Sequence, residues 1–462
     1  MPESALDTGN TAWMLMSCAL VLLMTPGLAF FYGGMVRMKS VLNMMMMSVA
    51  ALGIVSILWV LYGYSLALTR DEGGGLIGGL DAAGLDDTIA DTGAALPETV
   101  FVAFQMMFAI ITVALISGAI ADRAKFSTWC VFVAIWVSIV YFPVAHWVFH
   151  FGDDRNGDGN LVDPGWIVDL GVLDFAGGTA VHINSGAAAL ALCLVLGKRR
   201  GWRKDPMRPH NVPFVMLGAA LLWFGWFGFN AGSAVAANNT AGVAFLNTQV
   251  ATAAAVIGWL IVERIRDGHF TMLGAASGMV TGLVAITPSC NTVNPMGAIG
   301  IGAIAGAICC AALSIKFKFG FDDSLDVVAV HMVGGLVGTL LIGVFATADA
   351  PAGVDGLLFG GGAEQLGKQA VGAFAVLGYS FVVTLILGLI LHKTIGFRID
   401  EDAEVEGIDV NEHGETAYEL GSVGSPLARP TGGGAGLAAH AAPTVGGISP
   451  SSAPGTTPRV DA

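Results

Sequence analysis

The chain has 462 residues, of which 55% are hydrophobic, only 12% are charged and 64 are glycine. A soluble domain is nearer 25% charged, so this composition excludes an ordinary soluble domain and predicts an integral membrane protein in a lipid bilayer. The net charge of −14 arises mainly from two loops and the C-terminal segment, and no stretch has the basic character of a nucleic-acid surface, so no nucleic-acid partner is predicted. The six cysteines lack CxxC and metal-ligand spacing, which indicates small hydrophobic residues rather than a disulfide framework.

Apolar runs of about 20 residues, long enough to cross a bilayer, recur eleven times along the chain. They lie near 11–33, 41–68, 98–120, 127–150, 175–197, 212–235, 243–263, 270–288, 296–315, 325–347 and 370–395. The first run has no basic segment before it, so a membrane span is predicted there rather than a cleaved signal peptide. The fold class predicted is an all-α integral membrane protein with eleven transmembrane helices.

Basic residues are concentrated in alternate connections between these spans. The segment KRRGWRKDPMRP at 198–209 is the most basic of them, whereas the opposite connections hold only Arg70, Arg155 and Lys368. Loops rich in Lys and Arg remain in the cytoplasm. The pattern therefore predicts a multi-pass protein of the cell membrane with its N-terminus outside and its C-terminus in the cytoplasm.

The two halves of the chain share a short pattern around a histidine. The fifth span contains AVHINSG at 180–186, and the tenth contains AVHMVGG at 329–335. Because each half has an odd number of spans, two five-helix repeats, about 11–197 and 212–347, would cross the bilayer in opposite directions. Such inverted repeats, followed by an eleventh helix, would bring His182 and His331 together near the bilayer centre.

Ionisable residues within apolar spans are costly and are therefore candidate functional residues. His182 and His331 are interpreted as a neutral, hydrogen-bonded pair, or alternatively as packed structural histidines. Asp174, eight residues before His182, either caps the fifth span or is a buried anion that stabilises a cation. Asp326, five residues before His331, is predicted to cap the tenth span.

Aromatic and small residues form two further patterns. The segments LLWFGWFGFNAGSA at 221–234 and FQMMFAI at 104–110 fit either ordinary helix packing or a cation-binding mouth, because aromatic faces attract cations. Gly274, Gly278 and Gly282 recur every four residues, which predicts close packing of the eighth span against a neighbour.

The loop DRNGDGN at 154–160 matches the first half of a calcium-binding loop through Asp154, Asn156 and Asp158. The twelfth position is Gly165 instead of the glutamate that completes such loops. Both an acidic turn and a calcium site therefore remain open for this segment.

The composition changes after the last span. Residues 396–420 are charged and are predicted to be partly ordered, whereas 421–462 are rich in Gly, Ala, Pro, Ser and Thr and are predicted to be disordered. The chain is thus divided into a membrane domain, 1–395, a cytoplasmic tail, 396–420, and a low-complexity C-terminus, 421–462.

Four motifs, LDFAGGTAVHIN, GWFGFNAGSA, TPGLAFFYGGMVR and AVHMVGG, resemble the Amt/MEP/Rh ammonium transporter family, on its bacterial Amt side. The resemblance covers about residues 10–420. It implies eleven spans, a homotrimer with one pore per subunit, ammonium or ammonia as substrate, and neither enzymatic activity nor a cofactor. It also implies that residues 396–420 form a regulatory tail that contacts the neighbouring subunit. A PII-type signalling protein is an implied partner at the cytoplasmic face.

The resemblance also implies roles for individual residues. It assigns His182, His331, Phe31 and Tyr32 to the pore, Phe108 and Phe229 to a gate, and Ser233, Phe149, Asp174 and Trp226 to ammonium recruitment.

One position departs from the family pattern. Many relatives end a stretch like AHMVW with a tryptophan, whereas AHWVF here places Phe149 at that position and Trp147 on another helix face. Phenylalanine is a weaker cation–π partner and has no indole N–H.

The mechanism expected from these features is recruitment of ammonium at an outer mouth, deprotonation, and conduction of ammonia past the two histidines, with the proton travelling separately. Two alternatives are an ammonium sensor in which transport is secondary and a membrane-embedded enzyme that uses the Asp174–His182 pair.

Overall fold

The computed structural model describes residues 6–90, 94–152 and 161–418. The calcium candidates Asp154, Asn156 and Asp158 and the segment 421–462 lie outside these residues. In the described ranges the chain is helical, with two isolated β-bridges and no strand. The main helices are α1 Thr8–Met35, α2 Met38–Leu68, α3 Glu98–Ile120, α4 Phe126–Phe149, α5 Gly178–Leu196, α6 Val212–Gly232, α7 Asn239–Asp267, α8 Met272–Ile286, α9 Pro295–Phe319, α10 Val328–Phe345, α11 Glu364–Thr394, α12 Glu401–Glu406 and α13 Ile408–His413. Short helical turns also occur in the connections, at Ala83–Ile89, Trp166–Asp169 and Leu357–Phe359.

Ten helices in the described residues, α1–α7 and α9–α11, are long and apolar enough to cross a membrane. The prediction of an all-helical, multi-pass membrane protein is confirmed. α8 has only 15 residues, about 22 Å at 1.5 Å per residue, although the apolar run continues to residue 288. The helix ends at Ile286. Thr287 still has right-handed helical dihedrals, with φ −50° and ψ −50°, and Pro288, which has no backbone N–H, does not continue the helix.

The two sides of the helical bundle are defined by loop contacts. On the N-terminal side, Asp7 N donates to Ala95 O at 2.9 Å and Ala237 N donates to Asn10 Oδ1 at 2.8 Å. On the C-terminal side, Lys125 N donates to Phe397 O at 2.9 Å. The spans therefore run between an N-terminal side and a C-terminal side.

Glycines allow the central helices to approach closely. A Cβ at Gly278 would lie 3.1 Å from Val256 Cα, and one at Gly282 would lie 2.7 Å from Thr252 Cα, so α8 packs directly on α7. The predicted role of the glycine ladder is confirmed. At the centre of the bundle, a Cβ at Gly186 would lie 2.4 Å from Met332 N, so α5 and α10 are in backbone contact.

A buried ionic network joins three loops on the C-terminal side. The Arg199 guanidinium binds both oxygens of Asp322 at 2.9 Å and Asp122 at 3.0 Å. Burial alone would raise the pKa of Asp322, but the hydrogen bonds and charge of Arg199 outweigh it and lower that pKa. Arg123, fully buried, donates to Ser324 Oγ at 2.6 Å. This network fixes the 320–327 segment that leads into α10.

The short helices α12 and α13 cover the C-terminal side of the same chain. Asp409 accepts hydrogen bonds from Leu42 N at 3.0 Å and Asn43 N at 2.8 Å, at the start of α2. Glu404 accepts from Arg398 at 2.7 Å and from Arg200 N at 2.6 Å. The segment up to residue 418 is therefore attached to the membrane domain. All six cysteines are free thiols, as the sequence predicts.

Candidate functional site

Two buried histidine rings face each other where α5 and α10 meet. Each lies in a wide π-helical turn that opens its helix, Gly178–Ile183 for His182 and Val328–Val333 for His331. Their Nδ1 atoms are 3.3 Å apart and their ring centroids 5.4 Å apart, with 25° between the planes. A hydrogen bond at this position needs one Nδ1 to donate and the other to accept, which suits two neutral rings. His182 Nε2 has no hydrogen-bond partner among the described residues.

Asp174 caps the turn that carries His182. Its Oδ1 accepts from Gly177 N at 2.8 Å and Gly178 N at 2.7 Å, and its Oδ2 accepts from the backbone N–H (2.7 Å) and the hydroxyl of Thr179. Gly177 has φ +109, which side chains other than glycine rarely adopt. Both carboxylate oxygens are thus occupied by the protein, and of the two sequence alternatives the geometry favours the cap.

Asp323 performs the same task for His331. It is buried and accepts from Val327 N at 3.2 Å and Val328 N at 2.8 Å. Burial raises its pKa to about 6, with the nearby Asp326 carboxylate adding to the effect. The prediction that the Asp326 side chain caps α10 is wrong: it is paired with Lys316 at 2.6 Å, and its backbone has φ +63. The sequence did contain the signal, because Asp174 and Asp323 each precede their histidine by eight residues.

A narrow apolar cavity of about 10 Å³, no larger than a single water molecule needs, lies beside the histidine pair. Its walls come from α1, α3, α5, α6, α8 and α10, through Met24, Leu28, Phe31, Ile111, Leu115, Val181, His182, Leu222, Trp226, Phe229, Val280 and His331. The predicted pore residues His182, His331 and Phe31 therefore meet at one cavity. Tyr32 is not among the lining residues, because consecutive helical residues point about 100° apart, and its hydroxyl donates to Leu115 O at 3.0 Å.

Two phenylalanine rings stack beside this cavity, and one of them, Phe229, is among its lining residues. The centroids of Phe108 and Phe229 are 4.1 Å apart with 18° between the planes, and Phe229 lies 6.2 Å from the His182 ring. Both rings are buried. The two residues assigned to a gate from the sequence are thus in direct contact.

Two of the recruitment candidates, Phe149 and Ser233, lie on the N-terminal side of this stack. Phe149 is edge-on to Phe108 at 6.3 Å. Ser233, at the end of α6, donates from its hydroxyl to Phe229 O at 2.8 Å. Trp147 points elsewhere, since its Nε1 donates to Leu76 O at 2.8 Å, as expected from its position on another helix face. No indole N–H from Trp147 therefore reaches the position beside Phe149.

Trp226 is held against His182 by a polar network that the sequence did not predict. The two rings are 5.4 Å apart with 19° between their planes. The indole Nε1 donates to Thr287 Oγ1 at 2.8 Å, and that oxygen lies 3.1 Å from Asn230 Oδ1. Asn230 in turn donates to Thr248 Oγ1 at 2.9 Å. A buried asparagine within an apolar run was the available signal, but its partners on α7 and α8 depend on the fold.

Comparison with known proteins agrees with this architecture. The model of the Ammonium Transporter Family matches residues 12–418. An ammonium transporter of Mycobacterium tuberculosis (strain ATCC 25618 / H37Rv) is 59% identical, over 90% of this chain and 91% of that protein. Among solved structures, Candida albicans Mep2 aligns with a TM-score of 0.79 at 33% identity, over 90% of this chain and 94% of Mep2. A protein described as a sensor Amt protein aligns with a TM-score of 0.78 at 30% identity, over 88% of this chain and 98% of that protein.

These matches extend over nearly all of the described membrane helices. The family consists of transporters, so the chain is not an enzyme and the membrane-enzyme interpretation is discarded. The chain belongs to the ammonium transporter family.

Proposed function

We propose that this protein takes up ammonium by binding the ion at an aromatic mouth, removing its proton and conducting ammonia past His182 and His331. The observation that carries the proposal is the apolar cavity beside a hydrogen-bonded histidine pair, bordered by one ring of a stacked pair of phenylalanines. The two histidines give the cavity a polar but uncharged lining on one side, and its other walls are mainly apolar.

The cation binds, in this proposal, on the N-terminal side of the stack. Phe108 and Phe149 present aromatic rings there, and Ser233 contributes a hydroxyl. Aromatic faces stabilise a nearby cation by about 0.5–2 kcal/mol, increasing as water is excluded. Asp174 acts indirectly, because its oxygens are occupied by backbone N–H groups and it shapes the turn beneath the mouth. Since Phe149 lacks an indole N–H, recruitment is weaker than a tryptophan would provide.

Energetics favour deprotonation before entry. Moving an unpaired small cation into a low-dielectric core costs on the order of tens of kcal/mol. Removing the proton at neutral pH costs only about 3 kcal/mol if the pKa of ammonium is roughly two units higher. Ammonia can then donate to or accept from the neutral histidines. The proton travels separately along the histidine pair, which makes transport electrogenic.

The exit lies on the C-terminal side. An open cavity there is lined by Met35 and Ser277, each one helical turn beyond a residue of the inner cavity, Phe31 and Val280 respectively. The two cavities therefore follow the same helices, α1 and α8. Movement of the Phe31 side chain would connect them.

We propose eleven spans arranged as two inverted five-helix repeats followed by α11. α8 is shorter than the roughly 30 Å hydrocarbon layer, but its C-terminal half is fully buried in protein, so it needs little contact with lipid. The matched turns of α5 and α10, each capped by an aspartate and each holding a histidine, support the repeat. The N-terminal side faces outward, because the basic loops, above all 198–209, lie on the other side.

Assembly and regulation are proposed by resemblance. A homotrimer would cover part of the exposed apolar surface of α1, α6 and α7, which includes Leu15, Phe224 and Phe245. Residues 396–420 form the regulatory tail of the membrane domain 1–395, and a PII-type protein docks on the C-terminal side. The sequence of residues 421–462 is of low complexity and is proposed to have no part in transport.

Uptake into vesicles tests the central proposal. Purified full-length protein in liposomes should accumulate labelled methylammonium and give an ammonium-evoked current on a solid-supported membrane. The Tyr32→Phe variant is a matched control, because it keeps the ring and removes a hydroxyl that points away from the cavity. Absence of both signals from correctly folded protein would contradict transport.

A sensor is the second candidate, favoured by the 30% identity to a protein described as a sensor Amt protein. In that case the protein would bind ammonium and change the position of its tail, while uptake would be slow. Saturable ammonium binding without uptake in the same vesicles would favour the sensor.

A further inference from the structure

Two buried glutamines of α11 have no role in the pathway described above. Gln365 and Gln369 lie one helical turn apart and are 6% and 0% exposed. Polar residues buried in a membrane helix are costly and mark positions with a specific task. α11 also lies outside the two proposed repeats, so the repeat does not account for these residues.

Gln369 binds both backbone groups of a single residue. Its Oε1 accepts a hydrogen bond from Leu173 N, and its Nε2 donates to Leu173 O, each at 2.7 Å. Leu173 lies between the short helical turn Trp166–Asp169 and α5, where the chain is not helical. Non-helical backbone within a membrane protein needs partners from the protein itself, and here one amide side chain supplies them.

A second glutamine fixes the orientation of this amide. Gln365 Nε2 donates to Gln369 Oε1 at 2.9 Å and to Gly171 O at 3.1 Å. Gln369 Nε2 also donates to Thr339 O on α10 at 3.3 Å. With the Gln369 amide reversed, its NH₂ would face the Leu173 N–H and the Gln365 NH₂, and its oxygen would face two carbonyl oxygens. Only one orientation therefore satisfies all of these groups.

The segment held by Gln369 leads directly into the cap of α5. Asp174, the next residue, accepts from Gly177 N at 2.8 Å, and a Cβ at Gly177 would lie 3.5 Å from Phe149 Cζ. The capped turn therefore lies against a ring proposed for cation recruitment. Phe175 N donates to Pro288 O at 3.1 Å, so the segment is tied to the end of α8 as well as to α11.

We propose that Gln369 is a positioning residue for ammonium recruitment, which sets the position of Asp174 through the Leu173 backbone. The inference rests on the proposed function, because it concerns the mouth at which the cation binds. Without Gln369, both backbone groups of Leu173 lose these partners, and the segment 171–175 relaxes towards other donors and acceptors. The capped turn moves with it, and the cation binds less tightly although Gln369 does not itself contact it.

Binding of labelled methylammonium to the purified full-length protein in detergent, measured by scintillation proximity, tests this role. Gln369→Met keeps the length of the side chain and removes its hydrogen bonds, so it should raise the dissociation constant about fivefold. Gln365→Met removes only the bonds of Gln365 and should have a smaller effect in the same direction. Thr384→Val is the matched control: it removes a buried hydrogen bond of α11, from Trp136 Nε1 at 2.8 Å, about four helical turns away, and should bind like the wild type.

Gln369→Glu distinguishes positioning from a general loss of packing. A protonated carboxyl can accept from Leu173 N and donate to Leu173 O as the amide does, whereas an ionised carboxylate can only accept. At pH 5 this variant should therefore bind methylammonium like the wild type, while Gln369→Met still binds weakly. Hydrogen exchange should also be faster at the N–H groups of residues 177–179 in Gln369→Met, because Asp174 accepts from them.

Wild-type affinity in Gln369→Met would overturn the proposal, as would an equal loss of affinity in Thr384→Val. If Gln369→Glu at pH 5 binds no better than Gln369→Met, the hydrogen bonds to Leu173 are not the cause and the proposal is wrong. Failure of the proposed function has a different signature. Wild-type protein that binds methylammonium without vesicle uptake contradicts transport and leaves the comparison of affinities intact, whereas absence of saturable binding by the wild type would overturn both.

Discussion

Asp174→Asn separates a capping role from an electrostatic role at the mouth. The amide oxygen of asparagine can replace Oδ1, which accepts from Gly177 N and Gly178 N at 2.8 and 2.7 Å. The amide NH₂ would then occupy the position of Oδ2 and face the Thr179 N–H, which is now bonded at 2.7 Å. The substitution therefore removes the charge and one strong acceptor but keeps the size of the side chain.

The loss of folding stability in the Asp174 variants follows from the hydrogen bonds that each variant removes. One buried N–H without an acceptor costs about 1–3 kcal/mol. Asp174→Ala would leave the N–H groups of Gly177, Gly178 and Thr179 unpaired and should cost about 3 kcal/mol or more. For domains of about 150–250 residues each kcal/mol lowers the melting temperature by roughly 2–4 °C, and a longer chain shifts by less. We expect Asp174→Asn to be measurably destabilised with residual transport, and Asp174→Ala to lose both stability and transport.

The assay combines thermal unfolding in detergent with ammonium-evoked current in liposomes. Asp323→Asn is the matched control, because Asp323 caps the equivalent turn of α10 through Val327 N and Val328 N. Because burial already disfavours the charged form of Asp323, this variant loses part of the cap without losing a favoured charge, and it should lower the melting temperature by less. If Asp174→Asn melts like the wild type and yet carries no current, the carboxylate acts through its charge, and the capping argument is refuted.

Four further predictions concern the pathway, the tail and pH. Phe229→Ala should leave a folded protein with altered flux, because it removes the 4.1 Å ring stack, and unchanged flux and selectivity would exclude a gate. His182→Ala should conduct neutral ammonia but lose ammonium-evoked current or leak potassium; wild-type values for both would make the histidine structural. Deleting 421–462 should leave vesicle uptake near normal, whereas deletion from Gly396 should reduce it; loss of uptake in the shorter deletion would move the tail boundary. Burial raises the pKa of Asp323 to about 6, so the folded protein is stabilised when this carboxyl is protonated, and that stability is lost as pH rises through 6. Lowering the pH from 7 to 5 should therefore raise the melting temperature of the wild type more than that of Asp323→Asn. Equal shifts in both proteins would contradict that reasoning.

Much of the architecture is contained in the sequence. Apolar run lengths predict the membrane helices, because a bilayer leaves no other way to satisfy the backbone of a spanning segment than a helix or a closed barrel. The repeated Ala-Val-His pattern predicts the meeting of His182 and His331, which are 3.3 Å apart. The glycine ladder of α8 predicts its contact with α7 because a missing Cβ allows backbones to approach.

The sequence misplaced other features because they depend on neighbours distant in the chain. In the sequence, Asp326 is closer to His331 than Asp323 is. However, the carboxylate of Asp326 is paired with Lys316, and Asp323 caps α10 instead. Tyr32 follows Phe31 directly, yet only the position of Leu115 on α3 shows that its hydroxyl points away from the cavity. Proximity in sequence does not decide which polar partner a side chain finds.

The sequence by itself determined the class of protein, the positions of the spans and the identity of the paired histidines, since hydrophobicity and repetition are properties of the chain alone. Only the tertiary structure decided what Asp174 binds, how Trp226 is held against His182, and which side chains line the cavity. The physical reason is that hydrogen bonds and ring stacking act over about 3–6 Å. Which groups come within that distance is set by how α1, α3, α5, α6, α8 and α10 pack together.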